Sequence, residues 1–187
     1  MDVVDVIKSR RSIRNFKDED VSRETWEDII NCGILSPSSK NRQPWYFVVL
    51  KKEKKDYVAQ LMSDYHKQYG GKEEIIKQGV TSSVLATSNV IRQAPALILV
   101  FRPKEDGWII PDSQSIGACV ENMCLRATDL GLGSLWVRDT YCVSDKIEKT
   151  YNKQDMELAC ALVIGVSNHN PPQRPRNDIS SIIEWYE

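Results

Sequence analysis

Residues 113–133 read SQSIGACVENMCLRATDLGLG, and Ile116, Val120, Met123, Ala127 and Leu130 recur in it at helical spacing. The spacing predicts a helix over Ser113 to Leu130. Gly131 then falls where a left-handed C-terminal cap belongs, because a residue without a Cβ enters that backbone region at little cost. The turn Gly131-Leu132-Gly133 invites a dinucleotide-binding reading, but that fingerprint needs glycines that follow a strand and open a helix. Here they close one, which argues against a Rossmann domain. A loop of small residues after a long helix still lets a planar ligand approach backbone N–H groups.

The remaining elements are placed around this helix. Val3, Val6 and Ile7 have helical spacing over Asp2 to Ser9, with Asp2 in the first turn where the helix dipole favours a negative charge. Ser22 suits the N-cap of a second helix, whose stripe Trp26, Ile29, Ile30 and Ile34 runs until Ser36-Pro37 stops it. Pro37 to Pro44 is a polar loop, and Trp45 to Leu50 reads as a buried strand. Between Lys51 and Arg92 two helical stripes, Tyr57, Leu61, Tyr65 and then Ile76, Val80, Val84, Thr87, Ile91, flank a break at Gly70-Gly71. Pro95 to Phe101 is a second strand, and Arg102 to Asp112 reads as a loop. Ser134 to Val137 is a short strand, Val143 to Tyr151 a short helix and Leu158 to Val166 a third buried strand. The tail from Asn168 to Asn177 is rich in proline and arginine and packs as no element; Ile182 to Tyr186 is apolar enough to add an edge strand. The order predicts one α+β domain over residues 1–187, with helices flanking a sheet of few, widely separated strands.

Lys and Arg total 25 against 26 Asp and Glu, so the chain lacks the basic face that a nucleic acid or an anionic membrane requires. At 187 residues it can bury about 70% of its unfolded surface, enough for a core without staples. Its five cysteines are odd in number, show no C-x-x-C spacing and sit mostly among apolar neighbours, which suits free thiols in a reducing compartment. With only two histidines, no metal site is expected. Asp2 and Asp5 stand where a secretory leader would be basic and then apolar, and the apolar run Ala96 to Phe101 is too short to span a bilayer. The expectation is a soluble, cytoplasmic protein.

The chemistry concentrates in Arg10-Arg11-Ser12-Ile13-Arg14. Guanidinium groups are planar forks suited to phosphate, and three so close together repel unless an anion neutralises part of the charge. Taken alone, the stretch is better read as a solvated basic turn, because charge runs are usually solvated surface. Arg174-Pro175-Arg176, stiffened by Pro171 and Pro172, is a second phosphate-competent pair. Together with the loop Ser38-Ser39-Lys40-Asn41 and the glycine turn, these groups are what a phosphorylated, flat, hydrogen-bonding cofactor needs. Trp26, Trp45 and Trp136 are expected in packing, and Cys142 as a small hydrophobe. Tyr65, His66 and Tyr69 are candidates for a cover over a ligand.

Several blocks resemble one family. R-R-S-I-R-N-F at 10–16, P-S-S-K-N-R-Q-P-W at 37–45, E-N-M-C-L-R-A at 121–127 with G-L-G-S-L-W at 131–136, and R-P-R at 174–176 with I-I-E-W at 182–185 are similar to the nitroreductase family of FMN-dependent flavoproteins. The resemblance implies a central, mainly antiparallel sheet flanked by helices. It also implies a homodimer whose C-terminal tail reaches the partner subunit, with two FMN sites at the interface. Arg10, Arg174 and Arg176 would hold the FMN phosphate, and Ser12 and Arg14 would meet the pyrimidine side of the flavin, with Arg11 in the same cluster. Pro37, Ser38, Ser39 and Asn41 would come from the partner. Trp136, Val137 and Arg138 would run along the ring edge and offer a backbone N–H to the reactive nitrogen. A fixed cation such as Arg14 stabilises negative charge that develops beside it. No side chain is nominated as a catalytic acid or base, because the flavin carries the redox chemistry. The implied activity is oxidation of NADH or NADPH with ping-pong reduction of a nitroaromatic, quinone or related small-molecule acceptor. The same fold and cofactor also serve dehalogenation, azoline oxidation and flavin fragmentation, or a dimer that holds flavin without turnover.

Overall fold

The carboxylate of Asp2 accepts the Val4 N–H at 2.9 Å and starts α1 (Val3–Ser9), and Ser22 Oγ accepts the Thr25 N–H at 3.2 Å to start α2 (Arg23–Ile34). Each cap satisfies a donor that the helix cannot. The computed structural model describes residues 1–70 and 81–187. Beyond α2 these form β1 (Tyr46–Lys51), α3 (Glu53–Tyr69), α4 (Thr81–Gln93), β2 (Ala96–Pro103), α5 (Ile109–Asp129), β3 (Gly133–Val137), α6 (Ser144–Thr150) and β4 (Met156–Gly165). Gly71, Ile76 and Val80 of the expected helical pair lie outside the described residues.

The four strands form one sheet in the order β1-β2-β4-β3, with every neighbouring pair antiparallel. β2 and β4 are interior and covered on both faces, which is why they read as continuous apolar runs and not as alternating ones. Strand geometry sends successive side chains to opposite faces. Leu97, Leu99 and Phe101 of β2 therefore join Val58 and Met62 of α3, Val84 and Ile91 of α4 and Ile147 of α6 in one core. Ala96, Ile98 and Val100 join Trp26 and Ile29 of α2 and Ile116, Val120 and Met123 of α5 in the other. The result is a three-layer α+β arrangement. Trp26 is buried as expected, and its indole N–H donates to the Val21 carbonyl at 3.0 Å. No helix among the described residues is long and apolar enough to cross a membrane.

Two expectations need correction. The long helix begins at Ile109, four residues before Ser113, so the segment expected as loop shortens at both ends. Pro111 does not prevent this, because in a first turn its missing N–H has no intrahelical partner to lose. The second concerns Ile182 to Tyr186, which forms no strand in the chain and follows a short 3-10 turn at Ile179–Ser181. The edge of the sheet beyond β3 is already taken by the N-terminal segment, through bridges from Ser12 to Ser134 and from Phe16 to Ser167.

The glycine turn has two separate jobs. Gly131 sits at φ 75° and closes α5, while Leu132 N–H donates to the Ala127 carbonyl at 2.8 Å. At Gly133 a Cβ would lie 2.6 Å from Ile13 Cγ1 and 2.9 Å from Ile13 Cβ, so the glycine admits the segment that carries the arginines. Gly133→Ala is expected to destabilise the chain by about 1–3 kcal/mol, the cost of overpacking. Gly107→Ala, which meets nothing within 4 Å, should stay within about 0.5 kcal/mol. Urea midpoints of the two variants compare them directly, and equal midpoints would contradict the packing argument.

All five cysteines are free, and Cys119, Cys124 and Cys160 are buried. Burial pushes the thiols of Cys119, Cys142 and Cys160 up to about 12 and that of Cys124 up to about 11. Only the thiolate attacks a disulfide reagent. At neutral pH the native chain should therefore yield at most one fast-reacting thiol, Cys32, and all five in denaturant; several fast thiols in the native state would refute this packing.

Candidate functional site

The arginine segment is held by the sheet. Arg10 caps α1 with its N–H on the Val6 carbonyl at 2.9 Å, and Ile13 N–H then donates to Ser134 of β3 at 2.8 Å. Alternation buries Ile13 and leaves Ser12 and Arg14 exposed. Four residues on, Lys17 N–H donates to Val166 at 2.9 Å and Asn168 N–H to Asn15 at 3.0 Å, which roots the tail beside the same segment. The consequence is a cleft of about 570 Å³ lined by Arg10, Arg11, Ser12, Arg14 and the whole run Pro171 to Arg176. The two arginine groups, remote in the chain, thus share one cavity.

Their side chains are not equivalent. Arg10 Nε lies 3.1 Å from Glu121 Oε1 of α5, an ion pair that uses one edge of the guanidinium. Arg11 donates through Nη1 to the Lys8 and Arg10 carbonyls at 2.6 and 2.8 Å, at the C-terminal end of α1, and its buried Nε has no partner among the described residues. Arg14 Nη1 donates to the Ser12 carbonyl at 3.2 Å. Arg176 Nη1 donates to the Arg174 and Pro175 carbonyls at 3.0 and 3.2 Å. Five guanidinium groups so arranged repel one another, and an oxyanion in the cleft would relieve that repulsion while accepting several charge-assisted hydrogen bonds. Arg11 also borders a second cavity of about 430 Å³, which Gly131, Leu132 and Gly133 line from the turn after α5.

Pro37, Ser38, Ser39 and Asn41 do not line the arginine cleft of their own chain. Their loop, which contains a 3-10 turn at Ser39–Asn41, seats on the start of α5. Ser38 Oγ accepts the Gln43 N–H at 2.9 Å, and Ser39 N–H donates to Ser115 Oγ at 3.4 Å. Lys40, Asn41 and Gln43 have φ of 51°, 54° and 50°, left-handed backbone that costs roughly 1–2 kcal/mol for each residue with a Cβ. Arg42 anchors the loop. Its guanidinium lies 4.0 Å from the centre of the Trp108 ring and donates to the fully buried Asp112 at 3.3 Å and to Glu105 at 3.0 Å.

On β3, Val137 is buried and Trp136 is 43% exposed, with its ring passing over Gly117 of α5. The Arg138 side chain is largely exposed and pairs with Asp139 at 3.6 Å, while the other Asp139 oxygen accepts the Thr87 hydroxyl at 2.7 Å. None of the three lines the arginine cleft. Of the cover candidates, the Tyr65 and Tyr69 rings lie 4.9 Å apart near the end of α3, and His66 has a buried Nδ1 with no partner among the described residues. Burial raises the Tyr65 phenol above its ordinary value. Sequence reasoning missed Glu121, Arg42, Asp112 and Trp108. No local pattern marks a partner so far along the chain, although Glu121 and Arg42 both stand inside the quoted motif blocks.

A model of the nitroreductase family matches residues 7–166. An archaeal protein provisionally named NADH dehydrogenase/NAD(P)H nitroreductase, from Methanothermobacter thermautotrophicus, is 26% identical over 79% of this chain and 66% of its own length. The chain thus spans just under two thirds of that relative. An iodotyrosine deiodinase of Thermotoga neapolitana is 26% identical over 94% of each chain. Among solved structures, a provisionally named nitroreductase of Desulfovibrio desulfuricans in complex with FMN superposes with a TM-score of 0.78 at 24% identity, over 100% of this chain and 98% of the other. Matched along most of its length by the family model and along its whole length by the fold, the chain belongs to the nitroreductase family.

Proposed function

We propose that the chain is an FMN-dependent oxidoreductase that uses NADH or NADPH to reduce a nitroaromatic, quinone or related small-molecule acceptor. The observation that carries this reading is the convergence of Arg10, Ser12, Arg14, Arg174 and Arg176 on one cleft. The donor set fits FMN: forked cations suit the phosphate, Ser12 and Arg14 suit polar atoms of the ring, and the buried Nε of Arg11 has no acceptor among the described residues. FMN bound there supplies acceptance and return of a hydride. The chain supplies the rest. Arg10, Arg174 and Arg176 hold the phosphate, Ser12 orients the ring, and Arg14 places a fixed positive charge where negative charge is to be stabilised.

The reading includes a homodimer with each site built from both chains. Ile179, Ile182, Trp185 and Tyr186 are 71%, 68%, 80% and 90% exposed in the single chain. Apolar exposure on that scale at the end of a tail marks an interaction surface. It also lets Pro37, Ser38, Ser39 and Asn41, which stand away from the cleft of their own chain, complete the cleft of the partner. One cleft serving donor and acceptor in turn gives ping-pong kinetics.

A second reading keeps the fold and cofactor and changes the acceptor to a halogenated aromatic, supported by the Thermotoga relative that is matched over 94% of both chains. Iodide release from iodotyrosine by the dithionite-reduced protein, absent with nitroaromatic-only activity, separates the two.

The deciding experiment is the visible spectrum of the purified protein followed by anaerobic titration with NADH and with NADPH. A flavin spectrum that bleaches with either donor is expected; a protein that takes up no FMN defeats the proposal. Arg14→Ala should weaken FMN binding by roughly ten- to a hundredfold, the value of a charged hydrogen bond of about 1.5–3 kcal/mol, and lower the flavin reduction potential. Unchanged affinity and potential would remove Arg14 from the site.

A further inference from the structure

We propose that Arg42 is a positioning residue: its clamp on Trp108 and Asp112 holds the Pro37 to Asn41 loop in the shape that completes the cofactor site of a second copy of the chain. The inference rests on the shared-site reading above and extends it to residues that touch neither the cleft nor a ligand. Three left-handed residues with Cβ atoms, Lys40, Asn41 and Gln43, surround Arg42. Connecting α2 to β1 does not demand such backbone, and strain of this kind persists only where the surroundings over-determine it. Inside the loop the restraints are few: Ser38 accepts the Asn41 and Gln43 N–H groups at 2.9 Å each, and the Ser39 carbonyl accepts the Arg42 N–H at 3.1 Å. The strong restraint is Arg42.

The clamp is built from three directions. Arg42 Nε and Nη2 reach the two oxygens of Asp112 at 3.3 and 3.5 Å, Nη2 also reaches Glu105 at 3.0 Å, and the guanidinium lies against Trp108 at 4.0 Å. Asp112 is wholly buried, so removing Arg42 would leave its carboxylate buried without a cationic partner. Lysine has neither the fork nor the flat face and cannot replace it. What the clamp displays is polar and unused: the side chains of Ser39 and Asn41 are exposed and make no hydrogen bond with any described residue. A rigid loop offering free hydroxyl and amide groups outward suits a hydrogen-bonding ligand held by another subunit.

The test measures FMN dissociation constants by fluorescence, with thermal midpoint and oligomeric state recorded for each variant. Because Arg42→Ala alone leaves a buried charge, Arg42→Ala is combined with Asp112→Asn, and FMN affinity is expected to fall about tenfold while the protein stays folded. Trp108→Leu, at a half-buried position, removes the stacking alone and is expected to cost severalfold. Arg42→Lys should restore little. Wild-type affinity in both the double variant and Trp108→Leu overturns the proposal; if the double variant does not fold, Trp108→Leu decides by itself.

Doubly tagged heterodimers add a readout that a merely structural role would not move. One chain carries Arg10→Ala and the other the Arg42→Ala and Asp112→Asn pair. If the loop serves the partner, both lesions fall on one site, and the other binds FMN with wild-type affinity. If Arg42 serves its own chain, each site carries a lesion, no wild-type site remains and the proposal fails. Arg10→Ala homodimers that bind FMN normally would instead remove Arg10 from the cofactor site and defeat the shared-site reading itself, independently of Arg42.

Discussion

The hydrogen bond from Ile13 N–H to the Ser134 carbonyl, made possible by the absence of a side chain at Gly133, is the constraint on which the candidate site depends. It adds the N-terminal segment to the edge of β3 and thereby takes its orientation from the most rigid part of the molecule. β3 is paired to β4, and β4 to β2, each interior strand buried on both faces. Full burial of each large aliphatic side chain there is worth about 1.5–3 kcal/mol. Stiffness is therefore inherited outward from the core to Ser12 and Arg14. Ile13 links them, since its side chain is core and its neighbours on either side are site.

The tail depends on the same edge. Phe16 bridges Ser167 and Asn15 receives Asn168, so the chain leaves β4 alongside the segment that carries the arginines. Prolines at 171, 172 and 175 then limit where Arg174 and Arg176 can go. Assembling five cations costs electrostatic energy that the chain offsets only in part, through Glu121 and through backbone carbonyls that accept from Arg11, Arg14 and Arg176. The uncompensated remainder would favour an anion in the cleft. By contrast, the loop at Pro37 to Asn41 is organised by a buried carboxylate and a stacked guanidinium on the opposite end of α5, and its strained backbone is held from outside the loop.

Much of this was legible in the residues. The cap at Ser22, the stripe on α2, the stop at Gly131 and the apolar runs of β2 and β4 are local signals, and each element stands where they put it, while Asp2, read as first-turn, proves to be the N-cap of α1. The start of α5 was not legible, because Pro111 and Gly107 read as loop and only packing carries the helix back to Ile109. The role of Gly133 was equally hidden, since the pressure on it comes from Ile13. At the site, arginine chemistry was plain from the spacing at 10–14, yet the ion pair of Arg10 with Glu121 and the clamp of Arg42 were not.

By itself the sequence determined most of the elements and the placing of charge, since helix periodicity, capping and guanidinium chemistry act over a few residues. Tertiary structure alone decided the strand order β1-β2-β4-β3, the meeting of Arg10 to Arg14 with Arg174 and Arg176, and the separation of the Ser38 loop from that cleft. Those contacts join residues far apart in the chain, and a local pattern holds no record of which edge a segment will find. Burial and register choose it, and they exist only once the sheet has formed.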